Sequence, residues 1–439
     1  MIAQKAINIF EKVRVFQRKI YLSAKADNKR KFGILYDKVC RKDILRVAWY
    51  YVKNNKGSAG IDDLTIKEIE DKGVQNFLDE IQVQLKSKKY QPKAVKRVYI
   101  PKANGKKRPL GIPTVKDRVV QTAVKIVIEP IFEADFQDFS YGFRPRRSAN
   151  QAIREIYKYL NFSCEWVIDA DLKGYFDTIP HDKLLLLVKE RVTDKSVIKL
   201  LSLWLEAGIM EDNQVRSNIL GTPQGGVISP LLANIYLNAL DRYWTNNRLA
   251  ERGQDAHLIR YADDFVILCS NNPKKYYNYA KRRISKLGLT LNEDKTRIVH
   301  ASEGFDFLGY TLRKGKSLKT GKYKTYYYPS RKSMKAIKGK IKDITQHGQH
   351  LKLSEVVEKL NPILRGWANY FKSGNSKQHF KSIDNYVTYN LTIMLRKKYK
   401  KPVKGWREHP PAWYYDYFGL ACLRKMCTNF DNDNQRYHR

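Results

Sequence analysis

The sequence predicts an α+β fold followed by a helical region towards the carboxyl end. Residues 93–113 alternate apolar and polar side chains on either side of Asn104-Gly105, a dipeptide typical of hairpin turns. Short strand patterns and amphipathic helix patterns are then interleaved as far as residue 330. Beyond that point the apolar residues follow helical spacing, as in LNPILRGWANYF. The chain therefore combines sheets and helices first and ends in helices.

These patterns divide the chain into four predicted segments. We expect residues 1–90 to form a basic helical extension and the beginning of the α+β part, and 91–330 to form its body. Residues 331–400 predict a helical domain, and 401–439 a basic carboxyl-terminal segment. The extension has a loose apolar stripe, which consists of Ile7, Ile9, Phe10, Val13, Val15 and Phe16.

Two helices have predicted boundaries. Residues 115–133 are apolar enough for a buried helix, and the proline of Glu129-Pro130 predicts that the helix ends there. In GTPQGGVISPLLANIYLNALD, Ser229 is a good N-cap and Pro230 suits the first helical position. Residues 305–328 predict further short strands with basic turns.

The charge balance points to a polyanionic partner. The chain has 83 Lys and Arg against 44 Asp and Glu, a net charge of +39. No fold requires such an excess, which destabilises the compact state by self-repulsion. Residues 331–439 alone hold 23 Lys and Arg against 8 Asp and Glu, a net charge of +15. Nucleic acid is the first candidate partner, and an acidic membrane surface is the second.

Composition also argues against several classes of protein. No apolar segment approaches the ~18 residues of a membrane-spanning helix, and the amino terminus is charged throughout. The five cysteines are scattered and include no Cys-x-x-Cys pair, which argues against a disulfide framework and a zinc ribbon. We therefore expect a cytoplasmic protein without membrane association.

Three aspartates stand at predicted strand ends. Asp171 closes the strand WVIDAD, and Asp263 with Asp264 separates two apolar strand segments in RYADDFVILCS. Tyr-Ala-Asp-Asp by itself suits a solvent-exposed turn equally well, and Asp169 competes with Asp171 as a ligand. If the strands are neighbours, three carboxylates converge at one sheet end, where like charges oppose ionisation unless cations are bound.

Such a site would suit phosphoryl transfer. Mg²⁺ prefers oxygen ligands and retains substrate phosphates in its shell. Two such ions about 3.5–4 Å apart activate an attacking hydroxyl and stabilise a leaving pyrophosphate. A basic chain with this carboxylate set therefore predicts two-metal phosphoryl transfer on nucleic acid.

The order of several blocks carries a family resemblance. The stretches IPKANGKKRPLGIPTVKDRVVQTAV, SYGFRPRRSANQAI, VIDADLKGYFDTIPHDKL, GTPQGGVISPLLANIYLNALD, RYADDF, LNEDKT and FDFLGY follow one another. They resemble, in order, the reverse-transcriptase blocks of group II intron-encoded proteins, and LNPILRGWANYF resembles their maturase, or thumb, segment. The resemblance covers roughly residues 43–400. It implies a right-hand polymerase, with fingers and an antiparallel palm sheet over 91–330 and an α-helical thumb over 331–400.

The resemblance also implies roles for single residues. Asp171, Asp263 and Asp264 match the metal-binding carboxylates of the palm, with Asp171 and Asp263 as the direct ligands. Phe176 matches the bulky residue that favours dNTPs over rNTPs. The remaining matches are Gln224 beside the incoming nucleotide, Lys102 and Arg108 on its triphosphate, and Lys295 near the primer or the metals.

The helical domain resembles a thumb that grips a template–primer duplex through its phosphates. The expected phosphate contacts are Arg365, Lys372, Arg396, Lys397 and Lys398. The aromatic stripe of this domain, Trp367 included, is expected to be core. Nothing after residue 400 resembles the HNH endonuclease of many relatives, because CLRKMC has the wrong spacing and no partner pair.

The resemblance implies an RNA-directed DNA polymerase that also serves as maturase. Its partners would be group II intron RNA, an RNA template with a DNA primer, target DNA and dNTPs, with two Mg²⁺ ions as cofactors. Two alternatives stay open at this point. One is an RNA-binding splicing cofactor without a polymerase role, and the other is a domesticated relative in phage defence or CRISPR adaptation. The sequence does not indicate an oligomeric state.

Overall fold

A computed structural model describes residues 2–101, 105, 107–211, 214–216, 221, 225–251, 255–317, 320–400 and 410–427. Its helices are α1 (Ile2–Ala26), α2 (Tyr36–Val39), α3 (Lys42–Asn54), α4 (Ile66–Lys72), α5 (Val74–Lys86), α6 (Val115–Glu133), α7 (Ala149–Phe162), α8 (Tyr175–Thr178), α9 (His181–Lys189), α10 (Lys195–Glu206), α11 (Ser229–Asn246), α12 (Pro273–Lys286), α13 (Arg331–His347), α14 (Leu353–Phe371), α15 (Lys377–Tyr399) and α16 (Pro411–Asp416). A 3-10 helix spans Leu423–Met426.

The strands are β1 (Val95–Pro101), β2 (Lys107–Ile112), β3 (Trp166–Ala170), β4 (Ile209–Glu211), β5 (Gln214–Arg216), β6 (Ala256–Tyr261), β7 (Asp264–Cys269), β8 (Arg297–His300), β9 (Phe305–Phe307), β10 (Tyr310–Lys316) and β11 (Tyr323–Pro329). The described strands form three sheets, in the orders β2-β1-β4-β5, β11-β10-β9 and β6-β7-β3-β8. Helices and largely antiparallel sheets are thus mixed before residue 330, and helices follow, as the sequence predicts.

The predicted hairpin is present. β1 and β2 run antiparallel, and Pro101 pairs with Lys107 across the turn. Gly105 has a φ of +78°, which glycine adopts without strain. The short strands predicted within 305–328 are also present, as β9, β10 and β11.

The chain forms two compact units, each assembled from separate segments. Unit 1 contains Met1–Arg147, Ala170–Val266 and Lys274–Thr296, and unit 2 contains Ser148–Asp169, Ile267–Pro273 and Arg297–Arg439. In unit 1 the central helix is α6, which contacts both α1 and α3 and is buried along most of its length. Within the described residues, no helix combines the length and the apolar character that crossing a membrane requires.

α6 covers the predicted residues 115–133 and continues three residues past Pro130, near which the sequence predicts its end. A proline inside a helix leaves the carbonyl four residues earlier without its usual N–H donor. Here that carbonyl belongs to Ile126, and the Nε2 of Gln17 in α1 donates to it at 3.1 Å. A side chain from another helix therefore replaces the missing hydrogen bond.

Two further local predictions need correction. Ser229 is the first residue of α11 rather than its N-cap, because Ile228 occupies the cap position, and Pro230 is then second in the helix. In α1, Val13 is buried, but Val15 is 48% exposed and does not belong to the buried face. That face continues instead through Ile20 and Ala24. The side chain of Ile7 lies outside the described part.

Unit 2 packs α13, α14 and α15 together and places α7 against β10 and β11. The segment 410–427 is tied to α15 by the buried Asp384. Its carboxylate accepts hydrogen bonds from the backbone N–H groups of Leu423 at 2.9 Å and Arg424 at 3.1 Å, and from Arg424 Nε at 3.2 Å. Part of the predicted carboxyl-terminal segment is thereby held on the helices.

Candidate active site

The predicted aspartates lie at one end of the sheet β6-β7-β3-β8. β3 and β7 are neighbours, and the N–H of Glu165, just before β3, donates to the carbonyl of Cys269, at the end of β7, at 3.0 Å. The two strands therefore run antiparallel. Asp171 follows the last residue of β3, at the end of the sheet where β7 begins with Asp264. The prediction that these strands are neighbours is confirmed.

Asp171 is held by the segment that follows α12. Its Oδ2 accepts hydrogen bonds from Asn292 Nδ2 at 3.0 Å and Lys295 Nζ at 2.9 Å. The backbone N–H of Asn292 donates to the Asp171 carbonyl at 2.8 Å, and Thr296 Oγ1 lies 3.5 Å from the Asp171 nitrogen. Main chain and side chain of Asp171 are thus both positioned, and Lys295 neutralises one carboxylate charge.

The donor set suits a divalent cation. Three carboxylates supply the hard oxygen ligands that Mg²⁺ prefers. Asp171 and Asp263 are half-buried, and Asp264 is exposed. Among the described residues, however, these carboxylates do not gather as a set whose oxygens all lie within 4.8 Å of one another. They share a sheet end, as expected, without reaching the spacing of a shared metal site.

A buried ion pair supports the turn that carries Asp263 and Asp264. Arg260, with no exposed side-chain surface, pairs with the equally buried Asp241 at 2.5 Å. Its Nη1 also donates to Asn234 Oδ1 and to the carbonyl of Ala262, both at 2.9 Å. A buried guanidinium is stable only when its donors are paired. The network therefore fixes the backbone of the turn immediately before Asp263.

The same network reaches the stretch SYGFRPRRS through Gly142. Asn234 Nδ2 donates to the Gly142 carbonyl at 2.7 Å, and Tyr141 N–H donates to the Arg260 carbonyl at 2.8 Å. A β-carbon on Gly142 would lie 2.2 Å from the nitrogen of Ala262, whose φ is +58°. The two backbones are therefore in direct contact, and only glycine fits.

Tyr175 lies fully buried in unit 1. Its hydroxyl donates to the Ala233 carbonyl at 2.6 Å. Burial raises the pKa of Tyr175 well above its ordinary value, and the charge of Asp263 adds to this rise while Arg260 opposes it. The phenol therefore stays protonated and serves as a neutral hydrogen-bond donor.

Phe176 lies in the short helix α8 and is 9% exposed. Its ring contacts that of Tyr175 edge to face, with centroids 5.4 Å apart. A β-carbon on Gly221 would lie 2.5 Å from the Phe176 carbonyl oxygen, and one on Gly225 would lie 2.4 Å from the Gly111 carbonyl oxygen. Gly221 and Gly225 therefore each lie against the backbone of another segment.

Three predicted nucleotide-binding residues lie wholly or partly outside the described residues. Lys102 and Gln224 are outside them altogether. Arg108 is described only as backbone, in β2, where it pairs with Ile100. Their roles stay predictions.

The predicted phosphate contacts of the helical domain lie on α14, just after it, and on α15. Arg365, Arg396 and Lys397 are exposed, as is Lys372, whose Nζ donates to Asn369 Oδ1 at 3.3 Å. Lys398 is half-buried, and its Nζ donates to the Leu351 carbonyl at 2.5 Å, so one of its donors already serves the fold. Trp367 is half-buried and contacts the rings of Phe371 and Phe380, whose centroids lie 4.9 and 5.4 Å from its own, so it packs at the edge of the core.

Sequence reasoning missed four residues that support the site: Asn234, Asp241, Arg260 and Asn292. For two of them the sequence contains a feature that could have indicated their role. Arg260 is a charged residue inside the apolar stretch HLIRY, where burial demands a partner, and Asn292 lies in the same LNEDKT block as Lys295. The other two are polar residues of a helix, and nothing in the local sequence shows which way they point.

Comparison with known proteins agrees with this geometry. The family model described as reverse transcriptase (RNA-dependent DNA polymerase) matches residues 100–312, and that of the group II intron maturase-specific domain matches residues 334–413. Protein YkfC of Escherichia coli K12 is 40% identical over 268 residues, which are 53% of this chain and 70% of YkfC.

Two further relatives carry intron names. The group II intron-encoded protein LtrA of Lactococcus lactis is 32% identical over 346 residues, which are 64% of this chain and 57% of LtrA. A putative COX1/OXI3 intron 2 protein of Saccharomyces cerevisiae is 30% identical over 329 residues, 62% of this chain and 38% of that protein. The chain thus spans little more than half of LtrA. It belongs to the family of group II intron-encoded reverse transcriptases and maturases.

Proposed function

We propose that the chain is an RNA-directed DNA polymerase that also binds its group II intron RNA as a maturase and promotes splicing and retrohoming. The observation that carries the proposal is the position of Asp171 and the Asp263-Asp264 turn at one end of an antiparallel sheet. Membership of the family supports both activities.

The right-hand architecture is part of the proposal. The sheet β6-β7-β3-β8 serves as the palm, and the β1–β2 hairpin belongs to the fingers within 91–330. The helices α13 to α15, within 331–400, act as thumb and maturase domain. Residues 1–90 supply a basic extension with the start of the fingers, and 401–439 a basic segment.

Asp171 and Asp263 would hold two Mg²⁺ ions, with Asp264 as a less direct ligand. When bound, Mg²⁺ would activate the primer 3′-hydroxyl and stabilise the leaving pyrophosphate. Asn292 and Lys295 keep the Asp171 carboxylate in one orientation and reduce its repulsion of the other two carboxylates. The Arg260 network holds the turn before Asp263.

The incoming dNTP would be bound by the residues that match the nucleotide site of the family. Phe176 would stack against its sugar and exclude a 2′-hydroxyl, and Gln224 would lie along it. Lys102 and Arg108 would hold the triphosphate, since a point charge and a planar fork both suit phosphate oxygens.

The helical domain would contact the RNA template and DNA primer, and also intron RNA and target DNA. Exposed cations on its surface, Arg365, Arg396 and Lys397 among them, support this proposal because phosphate contacts dominate nucleic-acid affinity. Lys372 and Lys398 would contribute in the same way. We place the protein in the cytoplasm.

Primer extension with an Asp263→Asn variant tests the polymerase. The change keeps the size of the side chain and removes its charge, so we expect DNA synthesis on a primed RNA template to fall by at least about 1,000-fold. Asp71→Asn, at an exposed site in α4, is the matched control and should leave synthesis unchanged. Undiminished synthesis by Asp263→Asn would contradict the assignment, whereas retained intron splicing by the same variant would support a separate maturase role.

A further inference from the structure

Unit 1 contains a cavity that the proposed polymerase site does not use. It has a volume of about 400 Å³ and lies between α1, α3 and α6. Its walls include Phe10 and Arg14 of α1, Tyr51 of α3, Asn55 just after α3, and Lys125 and Glu129 of α6. Among the proposed metal and nucleotide ligands whose side chains the structure describes, Asp171, Phe176, Asp263 and Asp264 do not line it. Its volume falls within the range of small-ligand pockets, about 300–1,000 Å³.

The rim of the cavity is aromatic and accessible. Tyr51 is 49% exposed, and its neighbour Tyr50 is 48% exposed. The two rings lie 5.8 Å apart, and the ring of Phe10 lies 4.7 Å from that of Tyr50. Large aromatic side chains left half in water cost free energy unless a flat apolar partner covers them. A nucleobase is such a partner, because every base has a π-face on which an aromatic ring can stack.

The charge around the cavity is positive. α1 has six Lys and Arg against one Glu. Arg14 of this helix and Lys125 of α6 both line the cavity. Cations on both sides of an aromatic rim suit the phosphates on either side of a base.

The walls of the cavity offer groups that can read a base edge. The amide of Asn55 both donates and accepts hydrogen bonds. The Glu129 carboxylate is 17% exposed and lies 3.5 Å from Lys125 Nζ. Burial raises the pKa of Glu129, while Lys125 opposes this rise. Polar groups beside an apolar wall made of Val13, Val47 and Ile126 match a base, which has a polar edge and apolar faces.

We propose that this cavity holds one unpaired nucleobase of single-stranded RNA, stacked on Tyr51, with the flanking phosphates on Arg14 and Lys125. The inference rests on the proposed function, because RNA as the occupant follows from the maturase role. It assigns a base-binding site to the amino-terminal helix, separate from the polymerase residues.

Fluorescence of 2-aminopurine tests the proposal. The probe is a single-stranded RNA of about 12 nucleotides with one central 2-aminopurine, a length within the usual range of single-strand sites. Stacking on Tyr51 should quench its emission when the full-length protein binds. Tyr51→Ala should abolish the quenching and weaken binding about 10-fold, whereas Tyr51→Phe should retain both. Tyr323→Ala, at an exposed tyrosine of β11 in unit 2 and outside the helices proposed to contact RNA, is the matched control and should behave as wild type.

The outcomes separate this proposal from the polymerase. Equal quenching by wild type and Tyr51→Ala would overturn the base site, whatever the polymerase does. Quenching that AMP alone competes away at equal concentration would also overturn it, since the cavity would then be a mononucleotide pocket. If primer extension is absent but quenching persists and still depends on Tyr51, only the proposed polymerase activity is refuted.

Discussion

Gly142 and Ala262 touch through their backbones. A β-carbon on Gly142 would lie 2.2 Å from the Ala262 nitrogen and 2.8 Å from the carbonyl carbon of Tyr261. Both obstacles are main-chain atoms, so no side-chain rotation can relieve the clash. Because Ala262 directly precedes Asp263, any shift that makes room for a methyl group must move the carboxylate turn.

Gly142→Ala should therefore impair DNA synthesis more than folding. We expect kcat for primer extension to fall by about 100-fold, since a displacement of about 1 Å in a catalytic group has effects of that size. Steady-state primer extension measures this, with circular dichroism to confirm that the protein is folded.

The control is Gly339→Ala, at an exposed position of α13 where a β-carbon would meet nothing within 4 Å. It should keep full activity and gain about 0.5–1 kcal/mol of stability, because alanine loses less backbone entropy in a helix. Wild-type kcat in Gly142→Ala would show that the turn can move without loss.

Asp241→Ala should strongly destabilise the protein. It would leave Arg260 charged, fully buried and without its carboxylate, at a cost of about 3–5 kcal/mol. Urea unfolding followed by circular dichroism measures the loss. The exposed pair Arg242–Glu190 is the comparison, and Glu190→Ala should cost only about 0–1 kcal/mol. Equal losses at the two sites would mean that the buried network is not structural.

Asn292→Ala should raise the concentration of Mg²⁺ needed for half-maximal synthesis. Groups that orient a metal ligand typically contribute about 10–100-fold to metal affinity or activity. Titration of Mg²⁺ in primer extension, together with calorimetric titration of Mn²⁺ in the absence of substrate, measures the effect. Asn76→Ala, at an exposed site in α5, should match wild type in both. Unchanged metal dependence in Asn292→Ala would remove Asn292 from the site.

The stability of unit 1 should depend on the ionisation of Asp194. Its carboxylate accepts hydrogen bonds from the backbone N–H groups of Leu35 and Tyr36, each at 2.8 Å, and of Ser196 and Val197 at 2.9 and 3.2 Å. Burial favours a higher pKa, but the four donors outweigh it and hold the pKa of Asp194 below its ordinary value. The ionised Asp194 carboxylate therefore stabilises the fold fully above the unfolded-state pKa of about 4. This stabilisation is lost as pH falls through the folded-state pKa.

Asp194→Asn should thus destabilise the protein more at neutral pH than in acid. The difference from wild type in the free energy of unfolding should be constant above about pH 5 and shrink towards pH 3. Urea midpoints at several pH values measure it, with Asp71→Asn as an exposed control. A difference that grows in acid would reverse the sign and contradict the hydrogen-bond account.

Local chemistry explains which parts of the fold could be predicted. The hairpin at Asn104-Gly105 and the helices after residue 330 depend on turn residues and periodicity that lie within a few positions of each other. The end of α6, in contrast, does not depend on nearby residues alone. Pro130 predicts a stop, yet Gln17, 109 residues away, satisfies the exposed carbonyl and the helix continues. Whether a helix ends at a proline or continues past it therefore depends on whether packing brings a hydrogen-bond donor to the exposed carbonyl.

The chemistry of the site can be predicted from the amino-acid sequence: Asp171, Asp263 and Asp264 lie beside apolar strands, in a chain of net charge +39. The surroundings of these aspartates depend on how the chain folds. Asn292 reaches Asp171 across 121 positions, and Arg260 finds its carboxylate 19 positions away on another element. The physical reason is that charge and strand propensity are properties of single residues and of their neighbours in the sequence. The partner of a buried polar group is chosen when the whole unit packs.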